Sequence, residues 1–382
     1  MLTGGHLIHA DNLPAVTVQC HASNLLELPN GTLLCAWFGG TQEGLPDVSI
    51  YLSRFSPTSG QWTVPVKVST DLAHSEQNPV LFRDPLTDTL WLFHTAQPGG
   101  NQEDAIVVAR TSDDEGHTWA PPFVPFPKKK GIFVRQPLVV LPDGTWVLPI
   151  FYCRTTPGFR WVGNDDISAV LWTDDCGKTW SEAGVPDSIG CVHMAIVALP
   201  PVDGYVAFYR SRWADHIYRS TSSDGIHWTP PAATTLPNPN SGIAAAPLPN
   251  GAIVLVFNQS QACPSMERRL GLYDDITPSD DRRKNQPDNV HGKTAIWGTP
   301  RSALSVGLSL DGGLTWACRV LEDGDGYCMN NNSRERTNHE LSYPSLSVPR
   351  GSSKGVHIAY TYHRQNIRHV YIDDVNAFVH GF

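Results

Sequence analysis

The sequence predicts an all-β fold, a six-bladed β-propeller whose ring is closed by an N-terminal strand. Three observations predict it. The segments 112–119, 173–180 and 309–316 all read Ser/Thr-x-Asp-x-Gly-x-Thr-Trp; 222–228 is the same box with one residue fewer, and a degenerate copy ends at Trp62. A second repeat is an apolar run closed by a Gly turn, found at 25–31, 138–144, 196–204, 244–251 and 346–351, with 80–88 as a copy lacking the glycine. Each such run is followed by short β-type runs. Regular self-similarity marks a repeat architecture, and short runs punctuated by Gly, Pro and Asn mark strands. Four strands per unit, about six times over, make a propeller.

The units open near residues 22, 76, 135, 193, 241 and 342. The first runs through LLELPNG (25–31), TLLCAWF (32–38) and VSIYLSRF (48–55) to the degenerate box. The second contains VLFRDPLTD (80–88) and AIVVART (105–111), the third LVVLPDG (138–144) and TWVLPIF (145–151), and the fourth IVALPPVDG (196–204). The fifth has AAAPLPNG (244–251), AIVLVF (252–257) and ALSVGLS (303–309). The sixth has apolar runs at 345–348, 356–362 and 367–372, after which little chain remains, so HLIHA (6–10) is expected to supply its fourth strand. In each box, Asp and Gly suit a tight turn between third and fourth strands, and Trp suits packing between blades. The boxes therefore lie on the face opposite any site.

The chain has 382 residues, and the repeat runs nearly end to end, so 1–382 reads as a single domain with a long insertion at 259–300 in the fifth blade. A net charge of −9 with no basic run argues against nucleic acid or an anionic membrane as partner. The first residues lack a basic then apolar leader, which gives an expectation of cytoplasmic location. The eight cysteines form no C-x-x-C and several lie in apolar runs, as buried thiols do. The fifteen histidines show no metal-binding spacing, so neither a catalytic metal nor another cofactor is expected.

In a propeller the first strand of each blade lines the central channel, so the residues opening those strands converge on one funnel. Here they are His21, Gln77 and Asn78, Arg135 and Gln136, His193, Ser241 and Tyr343. The loops between second and third strands share that face and bring Glu43, Asp47, Arg160, Trp161, Asp165, Arg210, Arg212 and Trp213. Arg364 lies in the corresponding loop of the last blade. Carboxylates, guanidiniums and aromatic planes around a funnel suit a sugar: planes stack on rings, and charges grip hydroxyls or a carboxylate. The long segments 259–300, with ERR (267–269) and DDRRKN (280–285), and 324–340 read as rim or partial lid.

The boxes and the six-blade layout resemble the sialidase superfamily, also described as BNR or Asp-box proteins. That resemblance implies a Tyr nucleophile paired with a Glu, an acidic residue as acid/base, and three Arg that clamp a substrate carboxylate. SYPSL (342–346) places Tyr343 at the nucleophile position, Glu43 fits the acid/base with Asp47 as runner-up, Arg212 or Arg210 fits the second Arg, and Arg301 the third. Two positions depart from the pattern: His21 stands where the first Arg is expected and His193 where the Glu is expected. The departures point away from plain sialidase chemistry.

Three functions remain open on the residues. One is an exo-acting glycoside hydrolase on a terminal acidic or unusual sugar, with Tyr343 attacking the anomeric carbon, His193 taking its proton, Glu43 protonating the leaving oxygen, and Arg212, Arg301 and Arg135 holding the anion. A second is β-elimination at a uronic acid using His and Tyr. A third is a non-catalytic sugar- or protein-binding propeller. In each the expected partner is an oligosaccharide or glycoside, and an anionic one for the first two.

Overall fold

The computed structural model describes residues 8–199, 204–263, 269, 271–273 and 283–381. Of the charged runs named above, residues 267–268 and 280–282 lie outside the described residues. Six antiparallel sheets form the blades. The first is Gln19–Glu27, Leu33–Gly40, Ser49–Ser56 and Gln61–Trp62, with Val66–Lys67 added on the outside. The fourth and fifth are regular four-stranded meanders, running from Cys191–Ala198 to Ala232–Pro237 and from Ala244–Pro247 to Ala317–Glu322.

The sixth sheet closes the ring. Leu341–Ser347, Val356–Tyr362 and Asn366–Ile372 supply three strands, and the N-terminal Ile8–Asn12 supplies the fourth, in register from Ile8 opposite Ile372 to Asn12 opposite Arg368. The last blade thus joins both ends of the chain, as expected from the shortage of residues after 372.

Besides the first, two more blades depart from four-strand regularity. The second has only Ser75–Arg83, Leu90–Gln97 and Ile106–Ser112, with a single bridge between Ala109 and Phe123 where a fourth strand would run. Pro121, Pro122, Pro125 and Pro127 occupy that stretch, and proline cannot donate to a ladder. The third blade's inner strand is broken into Ile132–Val134 and Val139–Val140, and Arg135, Gln136 and Pro137 fall in the break.

Each box is a small self-contained turn. Asp114 accepts from the backbone N–H of Thr118 at 2.8 Å and its hydroxyl at 2.6 Å, and Asp175 with Thr179 and Asp311 with Thr315 repeat the pattern. The threonine hydroxyl and amide hold these exposed carboxyls well below their usual range. The tryptophans wedge between neighbouring blades: Trp180 meets Phe126 edge-on at 5.4 Å, and Trp316 meets Phe208 at 5.5 Å. The core is a set of such wedges between successive blades, for example Phe82, Phe93, Trp146 and Leu148 between blades two and three. With hydrophobic packing placed radially, the axis is left to polar side chains.

Candidate functional site

Four of the inner strands carry the same irregularity near their start. Register slips between His21 and Asn24, Gln77 and Val80, Val192 and Ala195, and Ser342 and Ser345. At each slip one residue takes a left-handed backbone: Ala22, Asn78, His193 and Tyr343, with φ of 59°, 51°, 56° and 50°. An extra residue in a bulge re-aims its side chain, and for a bulky residue this backbone costs on the order of 1–3 kcal/mol. The bulge makes Ala22 and Asn78 the structural equivalents of His193 and Tyr343. His21 and Gln77 stand one position earlier, a distinction invisible to strand counting.

Tyr343 lies at the centre of the funnel. Arg210 Nη1 donates to its Oη at 2.5 Å. The guanidiniums of Arg135, Arg210 and Arg301 sit 5.3, 5.4 and 5.6 Å from its ring centroid. Burial pushes the phenol up, but Arg210 and then Arg301 outweigh it and bring Tyr343 below its ordinary value of 10.0. By contrast, Tyr51, Tyr152, Tyr209, Tyr218, Tyr273, Tyr360 and Tyr371 are all pushed up, each chiefly by burial. The combination of φ > 0 and a lowered phenol marks Tyr343 as a candidate reacting group.

Both histidines flank this ring. His21 lies 4.2 Å from it, centroid to centroid, and His193 5.5 Å. His21 is fully buried; its Nδ1 meets the Thr361 hydroxyl at 2.8 Å and lies 3.7 Å from Glu340. Burial, then nearby guanidiniums, hold His21 and His193 well below 6.5, so both are neutral. Arg210 Nη1 also approaches His193 Nε2 at 3.4 Å, which makes Nε2 the acceptor and puts the proton on Nδ1. Gly242 sits between the two rings, where a Cβ would lie 3.4 Å from Tyr343 Cγ and 3.5 Å from His193 Nδ1.

The arginines divide by partner. Arg301 pairs with Glu340 at 3.0 Å, and Arg364 pairs with Glu340 at 2.5 Å and Glu43 at 2.6 Å. Arg364 and Arg301 hold buried Glu340 below the usual carboxylate range against the effect of its burial. Arg212 is paired with Asp166 at 2.8 Å and stacked among Phe151, Trp161 and Trp297. Arg135 donates to the carbonyls of Ser23, Tyr343 and Pro344, tying blades one and six from blade three. Arg210 has no carboxylate partner among the described residues; it meets Asn240 Oδ1 at 2.7 Å, Tyr343 and His193. Five guanidiniums against Glu43, Glu340 and Asp166 leave the funnel cationic in an acidic protein.

Other expected residues fall around this centre. Gln77 donates to Ser75 Oγ and to the Tyr273 hydroxyl, while Trp161 donates to Asp166. Trp213 covers Gly190, and Lys293 lies over its ring at 5.6 Å. Asp47 is exposed and accepts from the Thr41 amide, outside the funnel. Strand counting missed Glu340, Asn240, Tyr273 and Trp297. Glu340 had a usable signal, a lone carboxylate three residues before Tyr343; Asn240 sits in the short connection between Ala232–Pro237 and Ala244–Pro247, and Tyr273 and Trp297 come from the long segment whose path no local pattern specifies.

The described residues of the long segment of blade five make contacts on the far side of the funnel. Tyr273 accepts from Gln77 and Gln102 of blade two, the blade diametrically opposite. Asn331 holds the Leu272 carbonyl at 2.8 Å, Arg283 meets Glu103 at 3.1 Å, and Arg160 exchanges backbone bonds with Lys284 and Gln286.

Comparison with known proteins decides the family. The BNR repeat-like domain profile matches residues 31–358. The chain belongs to the BNR repeat-like domain family. No curated protein matches this BNR repeat-like chain. Among solved structures it is similar to a Hadza microbial sialidase, at 16% identity and a TM-score of 0.68, over 94% of this chain and 66% of that one. It is also similar to a Dyadobacter fermentans protein of unknown function, at 14% identity and a TM-score of 0.67, over 97% of this chain and 100% of that one. A third is the leech intramolecular trans-sialidase complexed with 2,7-anhydro-Neu5Ac, at 11% identity and a TM-score of 0.67, over 98% of this chain and 71% of that one. At these identities the likeness is one of fold: the molecule is a sialidase-like six-bladed propeller.

Proposed function

We propose that this protein is an exo-acting glycoside hydrolase of sialidase-like type that releases a terminal acidic sugar, with Tyr343 as nucleophile. The observation that carries the reading is the buried phenol of Tyr343, held at 2.5 Å by a guanidinium that has no carboxylate of its own among the described residues. The cationic funnel favours an anionic sugar, and the long segment that reaches its far side favours a chain end over the middle of a polymer. That solved sialidases and trans-sialidases share the fold supports a glycoside substrate.

In this reading Tyr343 reacts as the phenolate, its proton already lost to solvent; Oη attacks the anomeric carbon as the bond to the leaving oxygen breaks, and Glu43 supplies the proton that oxygen takes up. Water then attacks the glycosyl–tyrosine, Glu43 accepts its proton, and Tyr343 departs as the phenolate. A Tyr nucleophile is a recognised exception to the two-carboxylate scheme. His193 Nε2 already accepts from Arg210, so in this reading the phenol is activated by cations and not by that imidazole. Arg212 is committed to Asp166, Arg135 to backbone carbonyls, and Arg301 and Arg364 to Glu340 and Glu43, so the grip on the substrate anion falls first to Arg210, which has no carboxylate partner among the described residues.

A second reading, elimination at a uronic acid, rests on the two neutral imidazoles against Tyr343, one available as base and the phenol as acid. The test is a panel of methylumbelliferyl and natural glycosides ending in sialic, ketodeoxyoctonic, glucuronic or galacturonic acid. Free sugar without a new ultraviolet chromophore is the expected result. An unsaturated uronate chromophore would establish the lyase instead, and tight binding without turnover would leave a binding propeller.

A further inference from the structure

Asn240 joins the site to the long segment of blade five, although nothing in the family resemblance or in the strand count pointed to it. It sits just before the fifth blade in PNPNSG, buried, with a left-handed φ of 56°. Asparagine tolerates that backbone better than most residues. Three of its polar groups reach different partners. Its Oδ1 accepts from Arg210 Nε at 2.7 Å, its backbone carbonyl accepts from Arg301 Nη2 at 3.2 Å, and its Nδ2 donates to the Ile296 carbonyl at 2.8 Å.

The consequences follow from geometry. A guanidinium held at Nε cannot swing, and its two terminal nitrogens are aimed by that one bond. Asn240 thus points Arg210 Nη1 at the Tyr343 hydroxyl. Ile296 precedes Trp297, whose ring lies 5.8 Å from the Arg210 guanidinium and 5.1 Å from that of Arg212, and whose Nε1 donates to the Val162 carbonyl at 2.9 Å. One side chain therefore sets the direction of a guanidinium and anchors the segment that covers it.

We propose that Asn240 is a positioning residue that yokes Arg210 and Arg301 to residues 295–297, so that the aim of Arg210 at the Tyr343 hydroxyl and the seating of Trp297 over that guanidinium are coupled. The inference rests on the reading of Tyr343 as the reacting group, but its test does not require turnover. Around the phenol stand Arg135, Arg210, Arg212, Arg301, His21, His193 and Glu43, and Arg210 alone donates to its oxygen among the described residues.

Two variants separate the contributions. Asn240→Gly suits the positive φ, keeps the carbonyl for Arg301, and removes both side-chain bonds. Asn240→Asp keeps the acceptor for Arg210, places a negative charge beside it, and sets an oxygen against the Ile296 carbonyl. Folding is checked by melting and near-ultraviolet circular dichroism. Tyrosinate absorbance is then titrated in each background, with and without Tyr343→Phe, so the difference reports Tyr343 alone. The expected result is that both variants move the Tyr343 transition to higher pH. Cleavage within 259–300 by a protease should also quicken at least severalfold in both. If the panel yields a substrate, Asn240→Gly lowers kcat and raises KM. A folded Asn240→Gly and Asn240→Asp with the wild-type Tyr343 transition and wild-type cleavage rate would overturn the proposal. That result would leave the reading of Tyr343 intact, whereas a Tyr343→Phe enzyme with unchanged turnover would remove that reading and leave the Asn240 titration result standing.

Discussion

Tyr343 is acidified by position more than by any single partner. Its bulge turns it onto the axis, and three guanidiniums meet its ring. Because the other described tyrosines with a displaced titration are all pushed upward, Tyr343 should be the first of these phenols to ionise as pH rises. Arg210→Met keeps much of the bulk and removes the cation, so the Tyr343 transition moves to higher pH. A titration unchanged by Arg210→Met would mean that Arg210 does not set the phenol. Glu43 is testable beside it. Glu43→Gln should slow substrates with poor leaving groups far more than methylumbelliferyl glycosides, which need little protonation to depart. Equal slowing of both classes would remove Glu43 as the proton donor.

At the scale of the element, the wedges between blades carry stability and the bulges carry the site. Trp146 meets Phe82 at 4.7 Å and Trp91 at 5.7 Å between blades two and three. Trp146→Ala should destabilise by about 3–5 kcal/mol in denaturant titration. In blade six, His357 Nδ1 meets His369 Nε2 at 2.9 Å beside Trp62 and Phe55 of blade one. Burial lowers His357 to about 4 and His369 to about 3, His357 adding to the latter. A histidine lowered on folding binds more protons when unfolded, so its stabilisation is whole above about pH 6.5 and is lost as pH falls toward 4 and then 3. Replacing both with Phe should make that acid limb shallower, leaving the share of His21 and His193; a limb of unchanged steepness would place its origin elsewhere. These elements also show what a sequence can and cannot disclose. Box spacing and apolar periodicity displayed the six blades and the closing strand because they are local and repeated. Residue Tyr343 was legible from its place at the start of a blade. The difference between His21 and Ala22 was not, since a one-residue bulge leaves no compositional mark. Nor was the missing fourth strand of blade two, although Pro121, Pro122, Pro125 and Pro127 were there to be read as its cause.

At the scale of the whole molecule, ring closure and funnel cover are the two long-range features. Ile8–Asn12 pairs only with the last strand of the chain, so deleting residues 1–12 opens the outer edge of blade six. The expected outcome is a melting midpoint lower by more than about 5 °C, consistent with losing a few kcal/mol from a domain of this size. Tyr273 ties blade five to blade two across the funnel through Gln77 and Gln102, and under the proposed function a substrate would reach Tyr343 past these three residues. In the proposed reaction a sugar passes through a covalent bond to Tyr343. A fluorinated glycosyl fluoride of whichever acidic sugar is released, followed by intact mass and peptide mapping, tests this step. One added glycosyl unit is expected, carried on the peptide containing Tyr343 and absent from Tyr343→Phe. A label on any other residue, or inactivation of Tyr343→Phe with the same stoichiometry, would contradict it.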